Sequence, residues 1–303
     1  MNVTIDPRSG FCWGVVRTVQ IAEETLENSP PGSVYVLGNI IHNPREIERL
    51  AAKGLKTLRS REEIASLPPG AKVLIRAHGE PPETYRLARQ HRVEIIDATC
   101  PVVTKLQERV RKFYDLGYQI VIFGKRNHAE VVGVRGVCND ECIVVERLED
   151  ALEMVDVRKK TVLFSQTTMD RPTFLRLRDV LKSRIEELIV EEMGTIATEF
   201  HAKDTICGQV SGREDDLRRF ARQHDVVIFV AGKESSNGKV LFDVARSENP
   251  RTYFIEDVSE LQSEWFEGAE SVGITGATST PQWYMQQVRQ EILRRVATAS
   301  AMP

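Results

Sequence analysis

The chain of 303 residues has 41% hydrophobic and 28% charged side chains, enough for two or three globular units with a sizeable core. A net charge of -3 and a pI near 6.1 leave no electrostatic footprint for DNA or RNA, so small molecules or proteins are the expected partners. The longest apolar run, "VVIFVAG", is too short to cross a bilayer, and "MNVTIDPRSGFC" lacks a basic leader followed by an apolar core, so no membrane partner and a cytoplasmic location are expected.

Taken in chain order, the sequence falls into three rows that begin at Cys12, Cys100 and Cys207. A helical pattern follows each cysteine: "GVVRTVQIAEETLEN", "PVVTKLQERVRKFYDLG" and "GQVSGREDDLRRFARQ". In the second of these, Val103, Leu106, Val110 and Phe113 recur at helical spacing, Pro101 suits the first turn and Gly117 marks the end. Next comes a short apolar strand and a polar loop: "VYVLGNIIHN", "QIVIFGKRNHAE" and "DVVIFVAGKESSNG". His42, His128 and Ser236 lie 30, 28 and 29 residues beyond their row's cysteine. A second strand and loop follow, "KVLIRAHG", "TVLFSQTT" and "SVGITGATST", which put His78, Thr167 and Ser279 at 66, 67 and 72 residues.

Repeated spacing of this kind implies an internal triplication. Rows one and two close with a helix and a strand that lead into the next cysteine. Row three has the helix but no strand, and "NVTID" at the N-terminus supplies the missing one. The expected fold is α/β, with three pseudo-equivalent lobes at 12–99, 100–206 and 207–303, the last completed by a strand within 1–11. Ligands of parallel sheets sit beyond the carboxyl ends of the strands, so the polar loops are expected to converge on one central site.

Three cysteines at equivalent strand-to-helix junctions, where backbone N–H groups face an anionic ligand atom, point to a shared metal site rather than to three buried small side chains. The donor set admits zinc with a loop histidine as fourth ligand, or an iron-sulfur cluster with one iron lacking a protein ligand. Cys138 and Cys142, in "GVCNDECIVV", fall outside the pattern and read as structural, one exposed and one in or beside a strand. His42, His78, His128, Thr167, Ser235, Ser236, Asn237 and Ser279 supply neutral or protonatable donors suited to a phosphate, and no Walker or dinucleotide fingerprint accompanies them. Glu130, two residues after His128, is the carboxylate best placed to deliver a proton.

"GFC.GV", "HN", "AHG", "DATCP", "NHAEVVG", "QTT", "TIC", "SSN" and the C-terminal Ser279 occur in that order over nearly the whole chain. With these motifs the chain resembles the 4-hydroxy-3-methylbut-2-enyl diphosphate reductases, which complete the methylerythritol phosphate route to isoprenoids. The resemblance implies lobes arranged around a [4Fe-4S] cluster held by Cys12, Cys100 and Cys207. It implies a diphosphate held by His42, His78, Ser235, Ser236, Asn237 and Ser279, with His128 close by. Thr167 would orient the substrate hydroxyl or a water, Glu130 would supply protons, and a ferredoxin or flavodoxin would deliver electrons. Trp13, Asn39, "CGQVSGRE" and "GATST" depart from the family's usual residues without removing any of these groups. A three-lobed cluster dehydratase resembling quinolinate synthase, and a protein stapled by zinc, are the alternatives.

Overall fold

The computed structural model describes residues 1–191 and 199–300. The chain opens with β1 (Asn2–Ile5) and the cysteine-led helix α1 (Trp13–Glu27). Row one continues through β2 (Val34–Leu37), α2 (Pro44–Ala52), β3 (Lys56–Leu58), β4 (Lys72–Ile75), α3 (Pro82–Gln90) and β5 (Glu94–Asp97). Row two comprises α4 (Pro101–Asp115), β6 (Gln119–Phe123), α5 (Ala129–Val137), β7 (Cys142–Val145), α6 (Leu148–Met154), β8 (Thr161–Ser165), α7 (Arg171–Glu191) and β9 (Phe200–Lys203). Row three runs through α8 (Gly208–Ser211), α9 (Glu214–Arg222), β10 (Val226–Val230), α10 (Ser236–Glu248), β11 (Thr252–Ile255), β12 (Ser271–Gly276) and α11 (Gln282–Ser300). No helix among the described residues is long and apolar enough to cross a membrane.

The strands form three parallel four-stranded sheets, ordered β3-β2-β4-β5, β7-β6-β8-β9 and β11-β10-β12-β1. The order is the same each time: the row's second strand flanks the first on one side, and the third and fourth lie on the other. In the third sheet the fourth place is taken by the N-terminal strand, where Val3 pairs with Val272 and Ile5 with Ile274. The α/β fold class expected from the sequence is therefore present.

Parallel strands are buried on both faces, which is why "VVIFV" and "IVIF" are continuous apolar runs. Val226, Ile228 and Val230 pack with Tyr284, Met285 and Val288 of α11, while Val227 and Phe229 pack with Leu217 of α9 and Leu241 of α10. Ile120 and Ile122 likewise meet Leu106 and Val134, and Val121 and Phe123 meet Phe174 and Leu177 on the other face.

Two compact units contain these elements. One holds the described residues of Met1–Asn28, Asn39–Lys56 and Gly208–Pro303, with the β11-β10-β12-β1 sheet. The other holds those of Ser29–Gly38 and Thr57–Cys207, with the remaining two sheets.

Two local expectations need correction. The pattern after Cys207 is not one helix: it breaks between α8 and α9, where a Cβ on Gly212 would sit 2.6 Å from the Gly208 carbonyl oxygen. Glu214, Asp215 and Asp216 then start α9 afresh, acidic residues being favoured at the positive end of a helix. Nor is Cys138 or Cys142 exposed. Cys138 is fully buried and Cys142 is half-buried at the head of β7.

Ile228 is fully buried at the middle of its sheet. Replacing it with alanine should cost about 2–5 kcal/mol, read as a lower urea midpoint at unchanged slope.

Candidate active site

Each sheet's last strand leads to an aspartate whose carboxylate accepts the backbone N–H two residues further on. Asp6 accepts from Arg8 at 2.9 Å, Asp97 from Thr99 at 2.9 Å and Asp204 from Ile206 at 3.2 Å. These turns carry the chain out of the sheet towards Cys12, Cys100 and Cys207. The cysteine backbones are then fixed in one repeated way, each N–H donating to a carbonyl two residues past the end of the sheet's third strand. Cys12 donates to Thr278 at 3.0 Å, Cys100 to Ala77 at 3.0 Å and Cys207 to Thr167 at 2.8 Å. Ala77, Thr167 and Thr278 are thus the equivalent residues, so Thr167 stands one position earlier in the repeat than His78 and Ser279.

Cys12 and Cys100 are the residues immediately before α1 and α4, neither sulfur caps its helix, and Cys207 directly precedes α8. All three are half-buried and outside any disulfide.

In the first unit, Cys12 connects through Thr278 to Asn237. The Asn237 Oδ1 accepts from both the Thr278 N–H at 2.9 Å and its hydroxyl at 2.8 Å, which orients the amide. Nδ2 of Asn237 and Oγ of Ser236 are buried and have no partner among the described residues. Buried donors left unpaired cost about 1–3 kcal/mol each, so sites that keep them are candidates for a ligand. Ser235 caps α10, accepting from the Gly238 N–H at 3.0 Å, and its own hydroxyl proton remains to be donated. Ser279 donates to the His42 carbonyl at 3.3 Å. A Cβ on Gly232 would lie 2.5 Å from that carbonyl, so the chain after β10 passes too close for any side chain.

In the second unit, Glu130 lies in the first turn of α5 and is 1% exposed. Its Oε1 accepts the Thr167 N–H and its Oε2 the Thr167 hydroxyl, both at 2.7 Å. Burial raises the carboxyl pKa to about 7, the two bonds from Thr167 pulling the other way. His128 caps α5 by accepting the Glu130 N–H at its Nδ1, 3.2 Å away, which leaves the neutral ring's proton on Nε2. The His78 ring meets His128 edge-on at 5.4 Å. Gly79, with φ +73, turns the chain immediately after His78, and a Cβ there would strike the Gln107 side chain at 2.8 Å. One continuous path therefore runs from Cys207 through Thr167 and Glu130 to His128 and His78.

Arg213 was not singled out by its position in the sequence. The residue is 8% exposed, and its guanidinium donates to the Gly276 carbonyl at 3.2 Å and lies 3.9 Å from the Asp6 carboxylate. Burial pulls its pKa down while the charges of Asp6 and Cys12 hold it up. Nη1 has no partner among the described residues. The only sign in the sequence was an arginine six residues after Cys207.

These features define an α/β protein whose strand-to-helix loops present thiol donors, buried phosphate-type donors and one carboxyl group poised near neutrality. The chain belongs to the LytB protein family, whose model matches residues 3–293. It is 48% identical over 307 residues to the 4-hydroxy-3-methylbut-2-enyl diphosphate reductase of Chloroherpeton thalassium, covering 96% of each chain. It is 43% identical over 300 residues to the protein of the same name from Bacteroides fragilis, covering 98% of this chain and 99% of that one. Among solved structures it is similar to an (E)-4-hydroxy-3-methyl-but-2-enyl diphosphate reductase, the terminal enzyme of the non-mevalonate pathway. That match has a TM-score of 0.69 and 37% identity over 97% of this chain and 99% of the other. It is also similar to the E-1-hydroxy-2-methyl-but-2-enyl-4-diphosphate reductase of Plasmodium falciparum, with a TM-score of 0.83 and 25% identity over 95% and 87%.

Glu130 gives a pH prediction. Its folded pKa of about 7 lies above the ordinary 4.5, so between these values the folded state binds more protons than the unfolded one, and stability falls as pH rises through that window. The loss is on the order of 3 kcal/mol. Glu130→Gln should flatten this slope, read by urea unfolding at pH 5 and pH 8. An unchanged slope would show that Glu130 titrates normally.

Proposed function

We infer that the chain is an iron-sulfur oxidoreductase that removes the hydroxyl of (E)-4-hydroxy-3-methylbut-2-enyl diphosphate. The products are isopentenyl and dimethylallyl diphosphates. Membership of the LytB family and the shared name of its full-length relatives support the reaction. The single observation in the chain's own chemistry that carries it is the buried Glu130–Thr167 pair, a proton store next to a hydroxyl relay.

The residues fit a [4Fe-4S] cluster in their donor chemistry. Three cysteines outside any disulfide, each with its backbone fixed in the same way before a helix, offer soft thiolates and no oxygen ligands. Cys12, Cys100 and Cys207 would hold the cluster. When bound, it supplies single electrons and one iron able to act as a Lewis acid towards the substrate hydroxyl.

The remaining steps belong to the chain's side chains. Protonated Glu130 donates to the Thr167 oxygen, and the Thr167 hydroxyl proton is then free to be passed on to the departing oxygen. The peptide N–H of Thr167 holds the other carboxylate oxygen, which keeps the pair aligned after the proton has left. Overall, the substrate takes up two electrons and two protons and releases water. A ferredoxin or flavodoxin supplies the electrons singly.

The diphosphate is held by Ser235, Ser236 and Asn237 at the start of α10, by Ser279, and by His42 and His78, with His128 nearby. The unpaired donors of Ser236 and Asn237, already stripped of water, favour an anion there. Anchoring the substrate at its diphosphate positions the distant carbon-oxygen bond. A cytoplasmic location suits a soluble electron donor of this kind.

Anaerobic protein should carry about four irons with matching sulfide, and each of Cys12→Ser, Cys100→Ser and Cys207→Ser should lose iron. Iron-replete protein that leaves the allylic diphosphate unconsumed in the presence of a low-potential donor would refute the reading. Glu130→Gln should lower kcat by roughly 10²–10⁴ with iron content unchanged. Ser236→Ala should raise KM roughly tenfold while raising the unfolding midpoint, because its buried hydroxyl makes no bond among the described residues.

A further inference from the structure

Cys138 and Cys142 lie outside the site described above. Cys138 closes α5 and is buried with Leu106, Ile122, Val134 and Val144, and Cys142 packs against the same cluster from the head of β7. Asn139 and Asp140 between them have φ of 54 and 62, and the Glu141 N–H returns to the Cys138 carbonyl at 2.8 Å. A two-residue left-handed turn of this kind folds the chain tightly back on itself. The turn is braced by the Asp140 N–H on the Arg135 carbonyl at 3.0 Å and by the Asp140 carboxylate on Arg135 Nε at 2.8 Å.

Cys138 and Cys142 pack against the same cluster, and their surroundings make their roles unequal. The Cys138 thiol donates to the Arg135 carbonyl at 3.2 Å, and the neighbouring Cys142 together with burial pushes its pKa up. Cys142 moves the other way: Cys138 beside it lowers it most, burial opposes, Arg135 and Arg126 lower it further and Asp140 opposes. Cys142 is also the accessible sulfur, half-buried on the outer strand of its sheet and lining a cleft of about 580 Å³ with Tyr118, Asp140, Glu141 and Lys159. A pair of cysteines serving only as small core side chains would not need an opening to solvent on one of them.

We propose that Cys138 and Cys142 form a dithiol that reacts with hydroperoxides and closes to a disulfide, with Cys142 as the attacking sulfur and Cys138 as the resolving one. The Cys142 thiolate attacks one peroxide oxygen, the O–O bond breaks, and the leaving hydroxide takes a proton to become water. Cys142 is left as a sulfenic acid. The Cys138 sulfur then attacks it, the S–S bond forms, and the sulfenic oxygen departs as a second water with the Cys138 proton. Two thiols give up two electrons and hydrogen peroxide is reduced to two waters. The reaction is independent of the cluster, although α5 carries His128 and Glu130 at one end and the dithiol at the other.

Trypsin cleavage after Arg135 and Arg147 yields a peptide, 136–147, that contains both cysteines and no other. After one equivalent of hydrogen peroxide is added to the anaerobically purified full chain and free thiols are alkylated, this peptide should be lighter by two hydrogens, resist alkylation and recover with dithiothreitol. Cys138→Ala, with its fold checked by circular dichroism, should stop at a sulfenic acid on Cys142 that a 1,3-diketone traps. In the unsubstituted chain Cys142 should react with peroxide at pH 7 at least roughly tenfold faster than an ordinary cysteine. In Cys142→Ser, Cys138 should remain a free thiol. Full alkylation of both residues after peroxide, or a sulfenic acid trapped on Cys138 while Cys142 stays a free thiol, would overturn the proposal.

Discussion

The placement of each cysteine depends on one carboxylate. Where the last strand of a sheet gives out, an aspartate accepts the N–H two residues ahead and bends the chain, and the cysteine beyond it donates its own N–H to the adjoining strand-to-helix loop. Each such bond is worth only about 1 kcal/mol net. Their larger effect is entropic, because fixing the backbone of a residue costs about 1–2 kcal/mol and this cost is met on folding rather than on metal binding. The cysteine backbones are ordered in advance, as the proposed cluster would require.

The same loops that hold the cysteine backbones also carry the polar side chains. Thr167 is the clearest case: its carbonyl holds the Cys207 N–H while its N–H and hydroxyl hold Glu130. Burying a carboxyl group costs several kcal/mol unless it stays protonated or finds donors. Here it has two donors, yet its pKa rises to about 7, so burial outweighs the hydrogen bonds and brings the group near neutrality. That position allows one group to hold a proton and then release it. In the first unit Thr278 has the equivalent place, holding the Cys12 N–H and fixing Asn237 with the peptide N–H and hydroxyl that Thr167 uses on Glu130.

Much of this was legible in the sequence because the fold repeats. Cysteine-to-loop spacing revealed the two central strands of each sheet, since both-face burial makes them dense apolar runs, and with them β5 and the N-terminal strand that pairs with β12. The strand closing row two was expected within "FLRLRDVLKSRIEELIV", which lies inside helix α7; the strand is instead the half-buried "FHAK" of β9. Of the strands at the other edge of each sheet, only β7 was hinted at, by a cysteine in or beside a strand. "KTL" is two-thirds exposed residues, and "CIVV" and "TYFI" are short and half-buried, so their patterns resemble loops. The one-residue offset of Thr167 could not be read from spacing, because loop lengths differ between rows and only the cysteine N–H contacts define equivalence. The third turning aspartate was hidden for a similar reason. Asp97 and Asp204 stand three residues before their cysteines, whereas "PRSGF" separates Asp6 from Cys12. Arg213 was missed because a charged residue in a polar stretch reads as solvated, and only the coordinates show it buried against Gly276 and Asp6.

Repetition explains the frame, but the proposed chemistry needs the repeats to differ. Two residues beyond His42, His128 and Ser236, the chain has Pro44, Glu130 and Gly238. Pro44 starts α2, where a missing N–H costs nothing, and Gly238 lets α10 begin hard against Ala231, a Cβ there lying 2.9 Å from that side chain. Only the middle row uses this position for an ionisable group. Under the proposed function, a carboxylate two residues after Ser236 would put like charge beside the diphosphate expected at Ser236 and Asn237 and weaken its binding. The turns and backbone bonds could therefore be copied three times, while the proposed proton donor stays in the middle row alone and the start of α10 keeps the neutral donors Ser235, Ser236 and Asn237.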